Sequence, residues 1–396
     1  MKIERDVIIV GAGIAGGICA AYLAGAGADV LLLEKEIFPR DKACGDILRE
    51  GMVTHLSRLD LFGKLDDNGT LLRRLHIMSE NGSECIIPFE GYAAPRFQID
   101  SMIAEAAIKR GTEFRDGCRV RSLICEDGWI KGVSVREKGA DFEIRSRLVI
   151  LADGAGSLLK GQLGMTSAEE KAERFTGSGE YIGERAYFAG INLEEVLAKG
   201  QYNAYGAIGF HKDLPGGGYW IVPSGRSGIR DGYCNVGIVR EADGAEAVSA
   251  EEVFAGLFER NKRVASLFLG ARQVSPWKRA MLRDVTAINH RCGNGYLIIG
   301  DAGSIMMPFI KDGCSAAADS GEAAAIAAKE AIRANDFSAE YLTEEYVRRI
   351  EPDKTRLKFE RITAESLHDP YVSNPMISRM VNNPTYTKRV LRELFG

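Results

Sequence analysis

Three glycines carry the first chemical signal in this chain. Gly11, Gly13 and Gly16 stand in Gly11-Ala12-Gly13-Ile14-Ala15-Gly16, directly after the apolar run Val7-Ile8-Ile9-Val10. A GxGxxG turn at the end of a strand allows a sharp reversal at its first glycine. It allows close approach of a pyrophosphate at the second and tight helix packing at the third. The helix expected over 14–26 would aim its positive N-terminus, through the backbone of Ile14 and Ala15, at the phosphates. A second run, Val30-Leu31-Leu32-Leu33, ends in Glu34, where an acid accepts hydrogen bonds from a ribose. The glycine pattern alone is a weak signal. Strand, turn, helix, strand and acid in register point to a dinucleotide.

The elements that position this turn have a rival reading. Val7–Ala28 is 22 residues without a charge, long enough to span a bilayer, and Gly13 and Gly17 form a GxxxG pair. Six glycines and the β-branched opening argue instead for a buried parallel strand followed by a helix. Glu4 and Asp6 spoil the basic start of a signal peptide. Composition agrees with an ordinary folded protein: 396 residues, 45% hydrophobic, 27% charged, net charge −4. A basic nucleic-acid binder is not expected. The 45 glycines follow no G-X-Y period. The eight cysteines show no C-x-x-C, and the five histidines no ligand spacing. The expectation is therefore no metal site, no disulfide scaffold and a cytoplasmic location.

Two more strand-and-acid junctions lie far downstream. Leu148–Ala152 runs into Asp153-Gly154-Ala155-Gly156-Ser157, and Tyr296–Gly300 into Asp301-Ala302-Gly303. A helix over 315–333 follows Pro308 and Lys311-Asp312-Gly313. With the N-terminal turn, these form a set that resembles the flavoprotein hydroxylase superfamily across most of 1–335. The resemblance implies FAD as cofactor. It implies that Asp301, after Gly300, holds the ribityl chain and that Asp153 and Gly154 lie near the pyrophosphate. The helix after Gly313 and Cys314 would point its N-terminus at the flavin edge that becomes anionic on reduction. Arg96, in Pro95-Arg96-Phe97-Gln98-Ile99-Asp100, would sit near the diphosphate and ring, and Val120 would pair its backbone with adenine. Lys35 falls beside the ribose-binding Glu34.

A narrower resemblance follows Glu34. Phe38-Pro39-Arg40-Asp41-Lys42-Ala43-Cys44-Gly45-Asp46 is similar to the FPRDKxCGD segment of the geranylgeranyl reductase family, whose members include digeranylgeranylglycerophospholipid reductases and menaquinone reductases. It implies that Arg40, Cys44 and Gly45 line the flavin. Cys44 is either a catalytic or substrate-positioning group, or a small buried hydrophobe. That family also carries PxxYxWxFP. Here Pro215–Pro223 keeps Pro215, Trp220 and Pro223, while Gly218 replaces the Tyr and Val222 the Phe. Trp220 and Tyr219 are the candidate substrate-pocket residues, with His211 nearby in sequence. Flavin halogenases carry a related WxWxIP but lack a Cys44-Gly45-Asp46 counterpart.

The expected architecture is α/β: a Rossmann-like FAD-binding domain of the p-hydroxybenzoate hydroxylase type, an antiparallel-sheet substrate domain and a C-terminal helical segment. The FAD domain is assigned discontinuously to 1–70, 96–170 and 285–335, the substrate domain to 71–95 and 171–284, and the helical region to 336–396. Strands are expected at 185–193, 202–210, 218–223 and 233–239, and a helix at 251–261. Gly177–Gly183 mimics the glycine turn with wrong spacing and no preceding strand, so it reads as a loop.

The resemblance implies saturation of C=C bonds in a prenyl chain by hydride from reduced flavin. The alternatives are a flavin monooxygenase or halogenase, and a FixC-like electron carrier to quinone. With no second dinucleotide fold, electrons would come from docking NAD(P)H or another reductant, including a donor protein. The partner implied is a hydrophobic or lipid substrate. Lys354, Arg356, Lys358 and Arg361 are either a solvated helix face or a peripheral membrane contact.

Overall fold

The computed structural model describes residues 4–78, 84–164, 180–193, 204–211, 214, 216–226, 232–242, 249–284, 291–306, 311–351, 375–380 and 383–395. The glycine turn grows out of an eight-stranded sheet. Its main path runs Cys292–Gly293, Tyr296–Ile298, Ala140–Leu151, Glu4–Val10, Val30–Leu33, Glu113–Arg115. The strands from Tyr296–Ile298 to Glu113–Arg115 are all parallel. Alternate residues divide between two cores, as a period of two requires. Val7, Ile9, Leu148 and Ile150 face one core, whose other wall is helical. Ile8, Val10, Val149 and Leu151 face another, closed by the antiparallel ribbon Cys118–Glu126 and Trp129–Glu137.

This arrangement disposes of the membrane reading. The uncharged stretch divides into a strand and a 12-residue helix, Ile14–Gly25, which is apolar because ten of its residues are buried. Among the described residues no helix is long and apolar enough to cross a membrane. The helix packs closely on Gly313–Ala334. A Cβ on Gly321 would stand 2.5 Å from the Ala15 carbonyl oxygen, so only a glycine permits this crossing.

A nine-stranded second sheet runs Arg272–Gln273, Glu180–Ala189, Cys234–Glu241, Gly218–Pro223, Ala204–Gly209, Thr70–Met78, Glu84–Ala93, Ile47–Arg49, with Lys278–Arg283 also on Glu180–Ala189. It departs from a purely antiparallel sheet at one seam, where Ala204–Gly209 and Thr70–Met78 run parallel. Ile47–Arg49, within the segment assigned by sequence to the cofactor domain, pairs at the edge of this second sheet. Helices Ala250–Arg260 and Lys262–Leu267 cover its outer face. The first starts one residue before the expected position because Ser249 and Glu252 form a reciprocal capping box.

Beyond residue 336 the described segments are helical, including Ala339–Leu342 and Pro384–Phe395. Lys354, Arg356, Lys358 and Arg361 lie outside the described residues, as do Pro215, Pro308 and Gly177–Gly179. The other half of the mimic turn, Glu180–Gly183, is strand.

Candidate functional site

The glycine turn is held by its own acid. Gly11 has φ +103°, and a Cβ there would stand 2.4 Å from the Ala152 carbonyl oxygen. A Cβ on Gly16 would meet Gly11 O at 1.9 Å. Both positions therefore exclude any side chain. Ala12 N–H donates to Glu34 Oε2 at 3.1 Å, and Glu36 N–H to Oε1 at 3.0 Å. An ionised carboxylate has about four acceptor sites, so Glu34 keeps capacity for ribose hydroxyls. The backbone N–H of Cys118 donates to Glu34 O at 2.8 Å, which brings the Val120 strand alongside.

Beside Gly13 the chain builds a cationic wall. A Cβ on Gly13 would lie 3.8 Å from both the Arg40 and the Arg96 guanidinium. The organiser of this wall is Asp100, buried at 1% exposure, which accepts from Arg96 Nε and Nη2 at 2.9 and 3.0 Å and from Arg40 Nη1 at 2.5 Å. Burial opposes both charges, yet the pairing leaves Asp100 below its ordinary pKa and Arg96 well above its own. Sequence reasoning named Arg40 and Arg96 but gave Asp100 no role. Its i, i+4 spacing from Arg96 on helix Arg96–Lys109 was the available signal.

The downstream acids close the far end. Asp153 Oδ1 is buried with no hydrogen-bond partner among the described residues, and burial raises this carboxyl's pKa. Gly300–Gly303 forms a 3-10 turn, and a Cβ on Gly313 would lie 3.8 Å from Asp301 Oδ1. Asp301 pairs with Lys42 Nζ at 3.2 Å, linking this turn to the loop 38–46. Arg291, which sequence reasoning missed, is buried and donates to Gly303 O at 2.6 Å and Ser304 O at 2.7 Å. A lone Arg in no recognised motif offered no pattern to find it by.

The loop 38–46 is clamped under the second sheet. Asp46 is 0% exposed. Its Oδ2 accepts from Tyr187 O–H at 2.6 Å, Asn235 Nδ2 at 2.8 Å and Ser224 O–H at 3.4 Å. Asn235 Nδ2 also donates to Cys44 O at 2.8 Å, and Asn235 Oδ1 accepts from Trp220 Nε1 at 2.8 Å. Arg185 bonds Asp41 and Lys42 O, and stacks over the Tyr187 ring at 4.4 Å. Burial, reinforced by the charge of Cys44, pushes the Asp46 carboxyl up to about 7.

Cys44 and Cys314 face each other at 3.8 Å between sulfurs. The Cys314 thiol, the Arg96 charge and the Asp46 N–H at 3.4 Å favour the Cys44 thiolate against burial, so Cys44 is shifted down and Cys314 well up. The indole of Trp220 comes within 3.6 Å of where a Gly45 Cβ would be. Tyr219, expected with Trp220, lies on the opposite face against Phe254 because neighbours on a strand alternate. His211 is also away from this loop, with Arg260 Nη2 at 2.8 Å from its Nε2.

Residues 4–325 match the FAD binding domain family. The chain belongs to that FAD-binding family. It is 29% identical over 360 residues to the digeranylgeranylglycerophospholipid reductase of Methanosarcina acetivorans, covering 88% of this chain and 81% of that protein. It is 30% identical over 337 residues to the menaquinone reductase of Mycolicibacterium smegmatis, covering 82% and 76%. A geranylgeranyl bacteriochlorophyll reductase-like structure from Thermoplasma acidophilum shares the fold, with a TM-score of 0.81 at 20% identity over 98% of this chain and 96% of that one. Within the FAD-binding family the chain falls in the geranylgeranyl reductase branch. The geometry fits FAD: a turn that excludes side chains at Gly11 and Gly16, the Arg40 and Arg96 guanidinium groups beside Gly13, and an Asp153 oxygen with no partner among the described residues.

Proposed function

We propose that this flavoprotein saturates C=C bonds in a prenyl chain, carried by a lipid, a diphosphate or a menaquinone. The observation that carries this reading is the meeting of Cys44, Gly45 and Trp220 beneath the second sheet, beside the N-terminus of the Gly313 helix. The two relatives, named for a digeranylgeranylglycerophospholipid and for menaquinone, support it. Reduced FAD supplies the hydride when bound.

The chain's residues do the rest. Gly11, Gly13, Ile14, Ala15 and Gly16 take the pyrophosphate, with Arg40 and Arg96 neutralising its charge. Glu34 and Lys35 serve the adenosine ribose, and Val120 the adenine. Asp153 and Gly154 flank the diphosphate, and Gly300 and Asp301 the ribityl chain. Gly45, Gly313 and Cys314 border the ring. An isolated alkene is unpolarised, so orientation in a dry site and a nearby proton are what the protein must add. Trp220 walls the substrate, and Cys44, held toward its thiolate, lines the site beside it.

We assign 1–70, 96–170 and 285–335 to cofactor binding, 71–95 and 171–284 to the substrate side and 336–396 to a helical appendage. NAD(P)H or a donor protein reduces the flavin, in the cytoplasm, with peripheral contact to a lipid surface.

The test is anaerobic. Dithionite-reduced protein is mixed with a geranylgeranyl lipid or with menaquinone, and products are weighed by mass spectrometry. Gain of two hydrogens per double bond supports the reading. Flavin reoxidation by quinone without a saturated chain, or an oxygenated product formed only in air, overturns it. Asp301→Ala is expected to leave the purified protein colourless.

A further inference from the structure

All eight cysteines are free, and two of them meet. Cys44, on the loop 38–46, and Cys314, in the first turn of the 22-residue helix Gly313–Ala334, stand 3.8 Å apart, sulfur to sulfur. The elements that carry them are packed together. The helix Glu50–Arg58, which follows the loop, lies on the same helix turn, where a Cβ on Gly51 would be 3.1 Å from the Ser315 Cβ. A disulfide holds its sulfurs at about 2.0 Å, so an approach of about 1.8 Å separates this contact from a covalent bond. Rotation of two side chains covers that distance.

The two sulfurs differ as a reactive and a resolving cysteine differ. Cys44 is half-buried and Cys314 buried. The Cys314 thiol, the Arg96 charge and the Asp46 N–H shift Cys44 down toward the thiolate, its nucleophilic form. The same contact shifts Cys314 well up, so it keeps its proton while Cys44 is an anion. Once Cys44 loses its negative charge, the largest influence holding that proton is gone. Burial and Asp312 then oppose ionisation of Cys314, while Arg96 and the helix N-terminus favour it. Elsewhere burial raises the thiols of Cys19, Cys85, Cys118, Cys234 and Cys292, which makes them poor nucleophiles. Cys125 is exposed on the strand Cys118–Glu126 and serves as an internal reference.

We propose that Cys44 and Cys314 are a reversible redox pair, which closes to a disulfide on meeting hydrogen peroxide and reopens with a dithiol reductant. Peroxide is the two-electron oxidant formed wherever a reduced flavin meets oxygen. The Cys44 thiolate attacks one peroxide oxygen: an S–O bond forms, the O–O bond breaks and hydroxide leaves. The Cys314 sulfur then attacks the Cys44 sulfur. The S–S bond forms, the S–O bond breaks, and the departing hydroxide takes the Cys314 proton as water. Two sulfurs are oxidised, and one peroxide is reduced to hydroxide and water. A dithiol restores both thiols by exchange and is itself oxidised to a disulfide. Closure withdraws the Cys44 thiolate from the site and ties the loop 38–46 covalently to the Gly313–Ala334 helix. It also stops oxidation short of the irreversible sulfinic acid. The pairing goes beyond the alkene-reductase reading and holds whatever the substrate.

The experiment exposes FAD-loaded wild-type protein to equimolar hydrogen peroxide at neutral pH. Remaining thiols are capped with N-ethylmaleimide, and peptides are mapped without reduction by mass spectrometry. A cross-linked peptide joining Cys44 to Cys314 is expected, two hydrogens lighter than the separate thiols and lost on treatment with dithiothreitol. Cys44 is expected to be consumed at least about tenfold faster than Cys125, despite its lower exposure, because more of it is thiolate. Three results overturn the proposal: both cysteines recovered as capped thiols, Cys44 recovered as sulfinic acid beside a capped Cys314, or Cys125 oxidised first.

Cys314→Ser separates the two roles. Its hydroxyl still donates toward Cys44 but offers no sulfur to resolve the oxidised form. Cys44 in this variant is expected to persist as a sulfenic acid that dimedone captures, and to pass to sulfinic acid in excess peroxide. Equal dimedone capture in the variant and the wild type overturns the assigned order. Neither readout uses a prenyl substrate or turnover, so failure of alkene reduction and failure of redox pairing are told apart.

Discussion

The two ends of the site are built on different physical plans. At the phosphate end, one local turn carries the recognition: Gly11 and Gly16 leave no room for a Cβ, and Glu34 ties down Ala12. At the ring end, Cys44, Asp46, Tyr187, Trp220, Asn235 and Cys314 come from five separate segments; three are neighbouring strands of the second sheet, and side-chain hydrogen bonds tie the loop 38–46 to them. The first plan tolerates almost no local change. The second tolerates local change but depends on two sheets holding their distance. Damage to the turn should therefore abolish cofactor binding, while damage to the cluster should leave a yellow protein with altered chemistry.

The largest test of that contrast is Gly11→Ala. Its Cβ would stand 2.4 Å from the Ala152 carbonyl at a φ of +103°. FAD affinity is expected to fall at least about 100-fold, near 3 kcal/mol, read from flavin absorbance after desalting. Normal flavin content would remove the steric basis of the phosphate-end argument. Next comes Asp100→Ala, which strands the buried Arg96 beside Arg40. A loss of about 3–5 kcal/mol in urea unfolding is expected, and a loss under 1 kcal/mol would show that these cations relax into solvent.

A smaller effect tests the ring end through pH. The folded Asp46 pKa, near 7, lies above that of an unfolded aspartate. From about pH 4 to 7 the folded state holds the extra proton, so stability contributed by Asp46 is greatest in acid and is lost as pH rises. Across that range the loss is on the order of a few kcal/mol. Asp46→Asn should lack this slope in urea midpoints measured at pH 5 and pH 8. Parallel slopes in the two proteins would contradict it.

The smallest effect concerns neighbours on one strand. Tyr219→Phe, on the outer face against Phe254, should change prenyl reduction less than about twofold. Trp220→Phe, which removes the bond to Asn235, should cost about 1 kcal/mol of stability and raise the KM for the lipid. Equal KM changes would mean that the strand's facing does not select the pocket residue.

Legibility tracked the same divide. Val7–Glu34 could be read outright, because a strand, a glycine turn and a helix are local structures whose steric demands are written in adjacent residues. Trp220 was singled out because a motif preserved the residue, and its indole lies beside Gly45. Tyr219 was misplaced beside it because motif proximity ignores the period of two. Asp46 stood in a recognised segment, yet its burial, raised pKa and unpartnered oxygen depend on Tyr187, Ser224 and Asn235 on other strands. Asp100 and Arg291 were silent for a related reason: a charged residue declares its role only once its burial and partner are known.

Chain order alone was enough for the cofactor class, since excluded side chains and a strand-terminal acid act over a few residues. Folding decided which charges are buried, which thiols meet and which face of Gly218–Pro223 meets the loop 38–46. Desolvation and hydrogen bonding are set by neighbours in space, and here those neighbours lie as far as 270 positions apart.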